Sequence, residues 1–106
     1  MAIAVWKFRY PEDLGWAEDV PMPRGAKILR VGLQGGGMKD LHVWALVDTL
    51  APMEDRRIKI VATGEEIKYG TADEHIYLGT VVTSSGLVFH VFERLKKKPK
   101  KGRSRS

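Results

Sequence analysis

Cysteine is absent from all 106 residues, which removes disulfides, thiolate nucleophiles and cysteine-based metal sites and leaves packing to hold the fold together. The expected compartment is reducing, and we place the chain in the cytoplasm. Serine occurs only at positions 84, 85, 104 and 106, and the first two lie between strand-like runs, where hydroxyls bond local backbone rather than form a strand-turn-helix nucleophile elbow. The three histidines, at 42, 75 and 90, match no zinc-ligand spacing. No metal or other cofactor is expected. Long apolar runs are missing too: nothing approaches the roughly 18 to 20 residues that span a bilayer, and the opening MAIAVWKFRY lacks the basic lead and the apolar length of a signal peptide. The expectation is a soluble chain with no membrane partner. Also missing is any ten-residue stripe of helical period.

Positive charge is unevenly distributed. Residues 1–95 carry 11 basic against 13 acidic side chains, a net near −2, whereas residues 96–106 read KKKPKKGRSRS, with seven basic groups and no acid. The length suits one modest domain, which we place at 1–95, with 96–106 as a disordered basic tail that has no apolar residue to bury. Lys96, Lys97, Lys98, Lys100, Lys101, Arg103 and Arg105 are candidate contacts to nucleic acid or to an acidic partner, of the kind that position without reading sequence and weaken with salt. A purely solubilising terminus is the alternative.

Strand period dominates residues 1–95. Residues 3–9 alternate, and Trp16 to Pro23 can form only an edge strand or a lead-in because its prolines donate no hydrogen bond. Ala26 to Leu33 follows, with Gly32 marking a bulge or close approach, and Gly35 to Gly37 form a flexible apex. Asp40 to Asp48 (DLHVWALVD) is the most hydrophobic run. Apolar residues on both of its faces predict a central strand covered on two sides. Arg56 to Ala62 alternates again, a turn of helix is expected near Ala72 to His75 behind Thr71, and Ile76 to Thr83 and Gly86 to Arg94 form a hairpin. The predicted fold is mainly β, a compact antiparallel barrel or two-layer sandwich of about six strands with at most short helical turns.

Candidate chemistry is sparse. Gly32 to Gly37 lacks the lysine and serine or threonine of a phosphate loop. His90 shares a face with Val88 and Phe92 and reads as a partly buried histidine with a hydrogen-bond partner; as a base it needs a nucleophile and an orienting acid, for which Glu74 and Asp48 are the candidates. Trp16, His42 and His90 form a possible surface site. The aromatic residues, with Lys7, Arg9, Arg24 and Lys27 interleaved, permit a stacking platform for bases. The favoured reading places Trp6, Trp44 and Phe89 in the core.

Together, PRGAKIL (23–29), LHVWALVD (41–48), ATG (62–64), YLGT (77–80) and GLVFHVFE (86–93) resemble a small domain family of bacteriophages and prophages whose function is unknown. The resemblance covers residues 3–93, with Gly35 to Gly37 and the tail outside its usual pattern. A small domain with no cofactor signature supports binding more easily than turnover, so the expectation is a non-enzymatic interaction module, and the resemblance adds the role of a phage accessory protein acting on a host or phage protein. The alternative is a nucleic-acid-binding accessory protein whose tail contacts DNA or RNA. A homodimer through an edge strand is a further expectation.

Overall fold

The computed structural model describes residues 2–10, 17–67 and 71–95. Within them the chain forms seven strands, β1 (Ile3–Arg9), β2 (Ala17–Pro23), β3 (Lys27–Leu33), β4 (Leu41–Asp48), β5 (Met53–Ala62), β6 (His75–Val82) and β7 (Val88–Arg94), with 3-10 turns at Met38–Asp40 and Ala72–Glu74. A three-stranded sheet has the order β1-β4-β3 and a four-stranded sheet the order β2-β5-β7-β6. All pairings are antiparallel. The result is a mainly-β, two-layer, sandwich-like fold without long helices. The tail residues 96–106 and Trp16 lie outside the described residues.

The two layers follow from strand alternation. Along β4 every second residue, Leu41, Val43, Ala45 and Val47, is buried, and these meet Ile58 and Ile60 of β5 and Val91 of β7 in one core with Tyr10, Val20, Met22 and Val31. β2 takes an edge position. Pro21 and Pro23 allow no other, since a central strand must donate on both sides.

Two close approaches join the layers. Gly79 faces Val31 so tightly that a methyl group there meets Val31 Cγ2 at 2.6 Å, and the register of β6 shifts between Tyr77 and Gly79 to bring the glycine inward. Gly79→Ala is expected to cost about 1 to 3 kcal/mol by overpacking. The companion change Val31→Ala, combined in a double-mutant cycle followed by urea denaturation, should recover part of that loss; additive costs contradict the contact. At the other approach the Gly35–Gly37 apex is held down rather than free. Ser84 donates from both its backbone N and its Oγ to the Gly36 carbonyl (2.9 and 3.1 Å).

A buried ion pair ties the four-stranded sheet to the start of β3. Arg56 of β5 donates from Nε and from Nη2 (3.0 Å) to the two carboxylate oxygens of Glu93 on β7, and from Nη1 to the Ala26 carbonyl (2.8 Å). Its side chain is 17% exposed and that of Glu93 is 11%. The hydrogen bond to Glu93 raises the Arg56 pKa above its ordinary value, outweighing the opposing effect of burial. Bidentate geometry of this kind is what makes an arginine-carboxylate pair hold.

Several expectations need correction. β4 is central, as its composition predicts, but among the described residues only one of its faces is covered by another layer: Leu46 is 38% exposed, and Trp44 and His42 are half-buried on the outer side. Trp6, 37% exposed, and Phe89, half-buried, also stand at the margin of the core instead of within it. The bulge in β3 falls between Ile28 and Arg30 and leaves Leu29 exposed. Of the two alternatives expected at Gly32, a bulge or a close approach, the second describes it, with the Trp44 and Arg30 side chains lying against it. The helical turn near residue 72 is a 3-10 turn with Thr71 at its N-cap but no side-chain capping bond.

Candidate macromolecular interface

The outer surface of β1-β4-β3 is built by register. Across the sheet, Lys7 of β1, Trp44 of β4 and Arg30 of β3 lie in one row; Arg9, His42 and Gly32 form the next; Val5, Leu46 and Lys27 form the row on the other side. Because Leu41, Val43, Ala45 and Val47 point inward, these residues point outward. Gly32 has no side chain, so the Trp44 ring and the Arg30 guanidinium settle over it, each within 3.6 Å of where a Cβ would lie. His42 and Trp44 sit side by side, ring centroids 6.1 Å apart and planes tilted by 44°. The imidazole is oriented by Nδ1, which donates to the Asp40 carbonyl (2.8 Å).

Lys7, Arg9, Lys27 and Arg30 are all exposed. Lys7 Nζ donates to Gln34 Oε1 (2.7 Å) and Arg9 Nε to the Lys39 carbonyl (3.3 Å). None of the four forms an ion pair with a described acid. The contrast with the rest of the molecule is sharp: Arg24, Arg56, Arg57 and Arg94 are paired with Glu54, Glu93, Asp19 and Glu74. The acid on this outer face, Asp48, stands at the far end of β4, where its carboxylate accepts the Leu50 amide (3.1 Å). Four of the described cations without an ion pair therefore share the outer face of one sheet, while Lys59 stands alone on the other sheet and Lys39 in the turn before β4. Beside the four lie exposed Ile3 (55%) and Val5 (56%).

The outer face of the other sheet carries His90. Its Nε2 meets Thr63 Oγ1 at 2.6 Å and its Nδ1 meets Thr80 Oγ1 at 3.1 Å, and Thr80 in turn bonds the Tyr77 hydroxyl (2.6 Å). These are hydroxyl partners, not the Glu74 or Asp48 carboxylate that an acid-base role requires. Glu74 holds Arg94, and Asp48 belongs to the other sheet. His90 does share its face with Val88 and Phe92, opposite Thr80, Val82 and Tyr77. His42 and His90 occupy opposite outer faces, so the structure does not unite them in one surface site. Among the described residues no three His, Asp or Glu side chains converge as a metal site, and no helix is long and apolar enough to cross a membrane.

A family profile matches residues 1–102, and its description is a domain of unknown function, DUF7352. The chain belongs to this family. The match spans Gly35 to Gly37 and runs past Leu95 into the basic stretch, farther than the resemblance to 3–93 implied. The DUF7352 chain matches no curated protein and no solved structure. Arg30, which joins the row through Trp44, is the residue that sequence reasoning missed. Its signal was present in the β3 alternation but was displaced by one position at the Leu29 bulge.

Proposed function

We propose that this chain is a non-enzymatic macromolecular interaction module, cytoplasmic, whose contact surface is the outer face of β1-β4-β3. The observation that carries the reading is the uncovered half of β4: Trp44 and Leu46 lie outward between rows of cations that have no acidic partner there. An apolar and aromatic surface of this kind is costly to leave in water and marks contact sites more often than structural ones. To this reading we add a phage or prophage setting, with a host or phage macromolecule as partner, on the strength of the sequence resemblance over residues 3–93.

The experiment compares affinity captures from the native cell using the tagged full chain and its Trp44→Ala/Arg30→Glu variant, with proteins and nucleic acids both analysed. Loss of the captured partner by about tenfold or more in the variant is the expected outcome, on the scale of a truncated aromatic and arginine anchor. Unchanged capture by a variant with the wild-type circular dichroism spectrum contradicts the reading.

A further inference from the structure

We infer that the outer face of β1-β4-β3 binds single-stranded nucleic acid, with bases stacking on Trp44 and His42 and phosphates held by Lys7, Arg9, Lys27 and Arg30. The inference rests on the proposed use of this face and adds the chemistry of its partner.

Three observations select that chemistry. First, the cations form no ion pair with a described acid: Lys7 and Arg30 flank Trp44 from the two neighbouring strands, and the one acid within β1, β3 and β4 is Asp48, four residues along β4, about 13 Å away. A polyanion that lies across β4 meets positive charge on both sides. Second, the two rings are adjacent, 6.1 Å between centroids, and His42 is oriented by its bond to the Asp40 carbonyl. Adjacent rings on a sheet offer consecutive stacking stations, which bases of any sequence accept because every base has a π face. Third, the rings lie on the central strand and the cations on the two strands that flank it, so charge and ring face alternate across the sheet as phosphate and base alternate along a single strand. This arrangement favours a strand of alternating phosphate and base over an acidic protein. A duplex keeps its bases stacked on one another, and rings on a sheet face reach base faces only where the strand is single. The basic residues 96–106 add sequence-independent attraction, and the inference does not depend on them.

The test uses the full chain and a fluorescein-labelled oligothymidylate of about 12 nucleotides, within the usual footprint of sheet-based single-strand binders, read by anisotropy at several salt concentrations. Trp44→Ala is expected to weaken binding about tenfold or more, with Trp44→Phe recovering most of the loss. Lys7→Glu/Arg30→Glu is expected to weaken it at least as much and to flatten the log-log salt dependence by about 0.7 for each phosphate contact removed. A full-length variant with Lys and Arg of residues 96–106 replaced by Gln binds more weakly but keeps its dependence on Trp44. The inference is overturned if folded face variants bind within about twofold of wild type, which assigns the binding to the basic run. It is overturned equally if duplex is bound as tightly as single strand without dependence on Trp44, or if the chain binds polyglutamate but no oligonucleotide. If the oligonucleotide fails while the Trp44→Ala/Arg30→Glu variant still loses its partner in cell captures, the partner chemistry is wrong and the contact face stands.

Discussion

Arg56→Met is expected to destabilise the folded chain by about 3 to 5 kcal/mol, because it leaves the Glu93 carboxylate in the interior without its counter-charge. In a domain of this size that corresponds to a fall in Tm of roughly 12 °C or more. The loss is not simply that of a contact. Glu93 is 8% exposed and lies beside Ile58 in the β5-β7 register, so water cannot readily replace the two guanidinium bonds, and the Ala26 carbonyl loses its Arg56 donor as well. If this explanation is right, Arg56→Met/Glu93→Leu should recover most of the stability, since removing both charges also removes the desolvation penalty. Urea denaturation of the two single variants and the double variant checks it. A double variant as unstable as the sum of its singles contradicts it. The raised pKa of Arg56 sets the sign of its pH effect: its stabilisation is fully present below the ordinary arginine range and is lost only as pH climbs through the higher folded value. Titration of this residue therefore leaves stability level from neutral to mildly alkaline solution.

The second large effect separates two leucines of one strand. Leu41 is 0% exposed and points into the core, while Leu46 is 38% exposed and points outward beside Val5 and Lys27. Leu41→Ala should cost about 2 to 5 kcal/mol through lost burial and a residual cavity. Leu46→Ala should stay within about 1 kcal/mol, as surface changes away from special features do. Denaturation midpoints of the two purified variants measure the difference directly. Equal costs would mean that the outer face of β4 is covered after all and unavailable to a partner.

Much of the layout was legible in the residues themselves. Pro21 and Pro23 limited β2 to an edge or a lead-in, the hydrophobic run Asp40 to Asp48 marked β4 as the central strand, and Gly86, which adopts φ +89, signalled the turn between β6 and β7. What could not be read was which side of a doubly apolar strand is open. LHVWALVD is equally suited to a strand packed on both faces and to one that packs on one face and presents the other, because hydrophobicity reports a preference for burial and not the identity of what does the burying. The three-stranded sheet has neighbours on one side among the described residues, and that fact belongs to the topology. For the same reason Trp44 read most simply as core. Arg30 was concealed differently: a single-residue bulge reverses the parity of everything before it, so local alternation in β3 could not set Arg30 and Lys27 on the same side. The pairing of Arg56 with Glu93 joins residues 37 apart in sequence, and no local pattern announces it. The basic run, the most conspicuous feature of the sequence, falls outside the described residues.

The most direct test is a two-dimensional NMR titration of the isotopically labelled full chain with the same oligothymidylate, following backbone amides and the tryptophan indole signals. The account predicts that shifts concentrate on Lys7, Arg9, Arg30, His42 and the Trp44 indole, while Tyr77, His90 and Phe92 on the opposite outer face remain unmoved. Shifts confined to residues 96–106, or centred on His90, would contradict it.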